Sequence, residues 1–366
     1  MTTRTAAGAR TLERKYYASK EVFDAETERI LLRRWLYAGR GSSLSRGDYF
    51  LFEVDAESVI VLRDGDDRIQ AFHNVCRHRG TRLTDVPEGS FSKSIQCPYH
   101  AWTYGLDGAL IGAPFMDEVD GFCAEDYPLH SVAVSEWEGG IFVNLDPDAE
   151  PFESAFGTLI GKFDRWHWGE LDLAHRIVYE IDANWKLVFQ NYSECYHCPS
   201  LHPQLNRLTP FRNAWNDLEE GPFLGGPMRM SIEGGSMTMS GQRCAAPLPG
   251  IDGEDLNLVQ YYTIFPNLLL SLHPDYVLVH RIERLAVDRT RIVCDWLFHP
   301  EAMAAQDFDP SDAIEFWNTT NKQDWQVSEL SQKGIASRAY RPGPYSELES
   351  AIAAWDREYL RALGPV

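Results

Sequence analysis

At 366 residues, 44% of them hydrophobic and 12% aromatic, the chain is long enough for two cores and too apolar to be disordered. A formal net charge of −20 argues against nucleic acid or an anionic membrane surface as the partner. No apolar run reaches transmembrane length and Met1–Leu12 lacks the apolar stretch of a signal peptide. Seven cysteines are too few for a secreted disulfide scaffold, so the expectation is a cytoplasmic protein with thiols reduced or bound to metal.

Residues 1–15 read as a loose arm. From Ala18 to Arg40, Val22, Phe23, Ile30, Leu31, Trp35 and Leu36 recur near helical spacing behind Ser19, a cap candidate, which predicts a helix. The pattern then turns to β at Tyr49–Val54, Ser58–Leu62 and Ile69–Asn74, with Asp64-Gly65-Asp66-Asp67 as a turn. Short strands continue to about Asn144, and Pro147 and Pro151 mark an exit. The chain thus divides into an arm and helix (1–39), an antiparallel β-domain (40–150) and a second domain (151–366). In the last, helical Phe152–Trp166 and the strand His175–Asp182 precede a helix over Trp185–Cys198. Glu220–Ile251, rich in Gly, Pro and Met, has no period and reads equally as a loop over a site or as obscured sheet. Strands return at Asn257–Phe265, Leu268–Leu272, Tyr276–Ala286 and Thr290–Phe298, followed by helices near 310–333 and 348–363. Strands grouped apart from helices predict an α+β fold.

Two clusters carry chemistry. In the β-domain, Cys76-Arg77-His78 and Cys97-Pro98-Tyr99-His100 each offer one thiolate and one imidazole. Structural zinc sites usually pair like with like, C-x-x-C with H-x-x-x-H, whereas one thiolate and one imidazole per loop suits a [2Fe–2S] cluster of Rieske type. The second cluster is Asn191-Tyr-Ser-Glu194-Cys-Tyr-His197-Cys-Pro-Ser-Leu-His202. On a helix Glu194 and His197 share a face, and Pro199 would break that helix and swing His202 toward His197. Two imidazoles are half of a non-haem Fe(II) site, which needs a carboxylate as well. Cys195 and Cys198 offer a rival zinc reading; on a helix they face away from Glu194 and His197, so the two sets cannot all converge, and it is the Rieske-type pair of loops upstream that favours iron and makes the cysteines packing residues.

The run Cys76–Tyr104, with Gly80 and Tyr99-His100-Ala-Trp102-Thr-Tyr104, resembles the Rieske domain of the ring-hydroxylating oxygenase family, and Glu194–His202 resembles its catalytic motif. The resemblance implies a helix-grip, START-like catalytic domain. It implies that Cys76, His78, Cys97 and His100 hold the cluster, and that His197, His202 and the downstream Asp324 hold mononuclear Fe(II). Glu194 is then no ligand. It would hydrogen-bond a cluster histidine of the neighbouring subunit, His100 in preference to His78, in a head-to-tail homotrimer. Asn191 would lie beside the iron or, equally, be a helix-surface amide.

Glu at position 194, where the family usually has Asp, is similar to the branch acting on quaternary ammonium compounds such as glycine betaine and carnitine. The implied reaction is N-demethylation with O2, formaldehyde leaving, and electrons from NAD(P)H through a flavin/iron–sulfur reductase or ferredoxin. Aromatics of the second domain, Tyr192, Tyr196, Tyr261 and Tyr262 foremost, would then form a cation–π cage. An aromatic-ring hydroxylase or O-demethylase on the same scaffold is the alternative. From other classes there remain a Rieske electron carrier and a zinc-stabilised binding module.

Overall fold

The computed structural model describes residues 8–42 and 44–366. The expected N-terminal arm falls partly on residues 1–7, outside the described residues. The chain forms two compact units, one of Leu31–Gly157 and one that joins the segment up to Ile30 to Thr158–Val366.

The sheets of the smaller unit are all antiparallel. Four strands run in the order Ile69–His73, Glu57–Arg63, Asp48–Val54, Glu88–Ser90, and Ser94–Gln96, Thr103–Gly105 and Leu110–Gly112 form a second sheet. A third pairs Leu36–Arg40 with Gly140–Asn144, which pairs in turn with Ala133–Trp137. The predicted helix over Ala18–Arg40 therefore stops early. Helices Lys15–Ala18 and Lys20–Glu26 are present, and Ser19 caps the second by accepting from Val22 N. Leu36–Arg40 is a strand because its β partner lies about a hundred residues away, and long-range pairing overrides local periodicity. Phe152–Trp166 likewise keeps only the single helical turn Phe152–Ala155 and a short 3-10 turn at Asp164–Trp166.

The larger unit is built on a six-stranded antiparallel sheet. Its order is Asp172–Ile181, Arg289–Phe298, Val277–Ala286, Leu268–Leu272, Leu258–Ile264, Phe223–Arg229. Only seven residues of the ambiguous 220–251 segment, Phe223 to Arg229, are thus sheet, and the rest is irregular. The helices Trp185–Tyr192 and Ser311–Ile335 pack on each other and against this sheet. The second buries Ala313, Phe316, Trp317, Thr320, Asn321, Trp325 and Ser328, an i, i+3/i+4 stripe on whose edge Asp324 lies.

The N-terminal helix belongs to this larger unit for an electrostatic reason invisible in its sequence pattern. Glu26, 1% exposed, accepts from Lys186 Nζ at 2.5 Å, from Arg284 at 2.8 Å, from Trp185 Nε1 and from the Tyr359 hydroxyl. Lys186 has no solvent exposure. Burial opposes charge on Glu26, but Lys186 and Arg284 outweigh it and hold the carboxyl below its usual value. Its stabilising contribution is therefore complete above the ordinary carboxylate range and lost as pH falls through the lowered value. Glu26→Ala leaves Lys186 buried without its carboxylate and should cost about 3–5 kcal/mol of unfolding free energy, readable by denaturant titration.

Candidate metal centres and active site

In the smaller unit the two cysteine–histidine loops are near copies of each other. Cys76 N donates to Thr81 O and Gly80 N to Cys76 O, and Cys97 N donates to Trp102 O and Ala101 N to Cys97 O. The residue four after each cysteine is left-handed, Gly80 at φ 71° and Ala101 at φ 58°, which lets each loop fold back on its own cysteine. The result places Cys76 and Cys97 in the core, 2% and 3% exposed, with both histidines half-buried at its edge. The His78 and His100 rings lie 4.7 Å apart, His78 stacks on Trp102 and His100 on Tyr99.

The surroundings suit a cluster with two thiolate and two imidazole ligands. His78 Nδ1 is buried with no hydrogen-bond partner. The Tyr104 hydroxyl lies 3.3 Å from Cys76 Sγ, and amides of Tyr99 and His100 face the Cys97 sulfur. Burial raises Cys97 as a free thiol and, with His100 and Arg79 nearby, lowers His78, keeping that imidazole neutral as a ligand must be. The arginines around these loops have local partners. Arg77 reaches Pro128 O at 2.6 Å, Arg79 lies over the Tyr99 ring, and Arg82 pairs with Glu53 and Asp85.

In the larger unit the predicted helix over Trp185–Cys198 is broken. Asn184 caps its start by accepting from Lys186 N, and it ends at Tyr192, where Ser193 returns its hydroxyl to Phe189 O. Glu194 then caps the following turn, accepting from the amides of Tyr196 and His197. Pro199 stands in the first turn of the next helix, Cys198–Leu201, so it starts a helix instead of breaking one. Glu194 and His197 are neighbours through this capped turn, not through a shared helix face.

The same break corrects the reading of the two thiols. Cys195 and Cys198 are joined in a disulfide, with Cα atoms 4.9 Å apart, rather than being separate packing thiols. Thiol titration of the denatured, cluster-free protein should find five reactive cysteines out of seven, and six or seven would contradict the bond.

His197, His202 and Asp324 converge, with one donor atom from each lying within 4.8 Å of the others. His197 Nδ1 donates to Glu194 Oε1 at 2.5 Å, and His202 Nδ1 to Gln323 Oε1 at 2.7 Å. Both rings therefore turn Nε2 toward Asp324 Oδ1, at 3.4 Å from His197 and 2.7 Å from His202. An imidazole lone pair this close to a carboxylate oxygen needs a cation between them. Burial opposes charge on His197, yet Asp324 and Glu194 push it up to about 10, so without metal a proton fills that role. Burial would raise Asp324, but hydrogen bonds from His197 and His202 hold it below its usual value. Two neutral imidazoles anchored at Nδ1 and one carboxylate fit a divalent iron that displaces the proton. Gln323 was not foreseen. Its one signal is adjacency to Asp324, since a helix neighbour's amide can reach round to a ligand that comes from another element.

Above these donors lies a cavity of about 250 Å³. Strand Leu258–Ile264 contributes Tyr261 and Thr263, which alternate onto its inner side, while the Tyr262 hydroxyl goes to Asp217. Helix Ser311–Ile335 contributes Trp317, Thr320 and Asp324. Tyr192 stands edge-on to Tyr261 at 6.1 Å, and Tyr261 edge-on to Trp317 at 6.0 Å, giving a continuous aromatic wall. Trp215 and Phe211 close another side. A Cβ at Gly226 would meet Trp215 O at 2.3 Å, so that glycine is what lets the Trp215 backbone lie against the sheet. Asn191 and Tyr196 also line the cavity. The irregular residues after Met230 do not line it.

Residues 169–364 match the ring hydroxylating alpha subunit (catalytic domain) family, and residues 34–128 match the Rieske [2Fe-2S] domain. The glycine betaine monooxygenase oxygenase subunit of Chromohalobacter salexigens is 33% identical, over 94% of this chain and 83% of its own. The carnitine monooxygenase oxygenase subunit of Acinetobacter pittii is 29% identical, over 90% of this chain and 86% of its own. A solved quaternary ammonium Rieske monooxygenase, described for carnitine oxidation and inter-subunit electron transfer, superposes with a TM-score of 0.83. It is 27% identical and covers 97% of this chain and 96% of its own. No helix among the described residues is long and apolar enough to cross a membrane. The chain belongs to the ring-hydroxylating oxygenase family, as an oxidoreductase whose Rieske [2Fe–2S] cluster and mononuclear iron make it an oxygenase component served by a separate reductase.

Proposed function

We propose that this oxygenase N-demethylates a quaternary ammonium substrate. Cys76, His78, Cys97 and His100 hold the cluster, and His197, His202 and Asp324 hold the iron. The observation that carries the substrate reading is the wall over the donors, where the rings of Tyr192, Tyr261 and Trp317 line the cavity together with the carboxylates of Glu194 and Glu347. Faces of electron-rich rings attract a cation that cannot donate a hydrogen bond. The relatives named for glycine betaine and carnitine support the same class.

The iron, when bound, supplies oxygen activation; the protein supplies position and proton control. Glu194 Oε1 and Gln323 Oε1 keep the protons of His197 and His202 on Nδ1, so both rings stay oriented through the cycle. The aromatic wall fixes the ammonium, which places one of its methyl groups near the donors and keeps water off it. Overall, one O2, two electrons and two protons convert an N-methyl to an N-hydroxymethyl group plus water. That carbinolamine then loses formaldehyde and a proton to leave the tertiary amine.

Glu194 also carries the electron path in this proposal. Its turn reaches the surface of its unit, with Tyr196 55% exposed, and its oxygens retain acceptor capacity for a cluster histidine of the next subunit in a homotrimer, His100 first. Asn191 orients groups at the iron side of the cavity. Electrons come from an NAD(P)H-dependent flavin/iron–sulfur reductase or ferredoxin, and the work is placed in the cytoplasm. Formaldehyde assays of the reduced protein test the reaction. Stoichiometric release with trimethylammonium compounds is expected, whereas hydroxylation or O-demethylation of arenes with no formaldehyde from any ammonium compound would overturn it.

A further inference from the structure

The cavity serves only one end of a zwitterion. Its carboxylates (Glu194, Asp324 and Glu347) and aromatic rings provide for a cation, while among the described residues no lysine or arginine lines it. The hydrogen-bond donors of the wall are largely committed elsewhere. The Trp317 indole N–H donates to the Tyr276 hydroxyl at 2.7 Å, and the Tyr192 hydroxyl to Leu270 O at 2.9 Å. The Ser193 and Thr320 hydroxyls return to Phe189 O and Phe316 O of their own preceding turns. What remains is neutral, namely the side-chain amides of Asn191 and Asn216 and the Tyr261 hydroxyl, which is buried with no hydrogen-bond partner.

A carboxylate moved from water into such a space loses hydration with no counter-charge, whereas a hydroxyl loses far less and one amide can satisfy it. Fe(II) would offset the charges of Asp324 and Glu194 and leave none over for an anion, which the exposed Glu347 still repels. We infer that, within the quaternary ammonium class, this site takes a substrate whose other end is uncharged, such as a trimethylammonium alkanol, in preference to a carboxylated betaine. This rests on the quaternary ammonium reading above and narrows it. It also separates this chain from the substrates for which its betaine and carnitine relatives are named.

Choline and glycine betaine differ chiefly in CH2OH against COO⁻, and 3,3-dimethylbutan-1-ol is the uncharged carbon counterpart of choline. Each is titrated by calorimetry into the metal-loaded full-length protein. Choline should bind at least about tenfold more tightly than glycine betaine, the scale of one unpaired, partly desolvated charge. Glu347→Gln, at an exposed position, should narrow that ratio about two- to fivefold. Glycine betaine binding as tightly as choline, or better, would overturn the inference and leave N-demethylation standing. If 3,3-dimethylbutan-1-ol matches choline, or neither ammonium compound binds, the quaternary ammonium reading itself falls.

Discussion

Asp324→Ala is expected to lower the iron content from about three to about two per chain, leave the Rieske signal unchanged, and abolish product formation. The carboxylate lies against Nε2 of both histidines, so its removal deletes the one anionic donor and leaves two imidazoles, too few to fix iron in an open site. His202→Ala should do the same. The cluster loops belong to the other compact unit, built around Ile60, Leu62, Phe72, Trp102 and Tyr104, so nothing in their packing depends on Asp324. Gln323→Leu is the graded version. It keeps all three donors but removes the acceptor for His202 Nδ1, and metal affinity should fall roughly 10–100-fold. Iron analysis together with EPR of the reduced cluster separates the cases. Full iron occupancy in Asp324→Ala would remove that residue from the ligand set. Loss of the Rieske signal along with the iron would show that the two centres do not form independently.

How far the sequence discloses this arrangement depends on the range of each interaction. The strands over 48–74 and 257–298 were readable because period-two burial and turn residues are local, and the structure departs by a residue or two. The cluster loops were readable because both thiolate–imidazole pairs are close in sequence. Asp324 was found through family resemblance, and only the fold shows it facing His197 and His202. The features that escaped are tertiary. Leu36–Arg40 is helical by local pattern and a strand by its partner. Nothing near Glu26 in the sequence announces its burial, because Lys186 and Arg284, which pair with it, come from far along the chain. The end of the helix at Tyr192 has no proline or glycine to announce it. It is set by Ser193 and by Glu194 capping the next turn, and a continuous helix was the natural reading of Trp185–Cys198. That one break changes the account of three residues, since it joins the thiols of Cys195 and Cys198 and turns Glu194 onto His197.

Because Glu194 both caps that turn and anchors His197, two substitutions there should have different consequences. Glu194→Gln retains an amide oxygen that can accept from His197 Nδ1, so iron should stay bound. It loses the negative charge and replaces one acceptor oxygen with a donor, so it can no longer serve His197, the turn amides and an incoming histidine N–H together. Reoxidation of the reduced cluster in a single turnover should then slow by about tenfold or more, each decade corresponding to ~1.4 kcal/mol of barrier. Glu194→Ala goes further. It frees His197 Nδ1, lets the ring change tautomer, and should also weaken iron binding roughly 10–100-fold. Rapid-mixing absorbance of the cluster, with iron quantified on the same samples, distinguishes a lost electron path from a lost metal. A Glu194→Gln protein with full iron and wild-type reoxidation would leave Glu194 as a purely local anchor of His197, and the route between subunits would have to run through other groups. A slowed reoxidation at full iron content is the outcome that only a bridging role explains, because local anchoring acts on metal occupancy and not on the arrival of the electron.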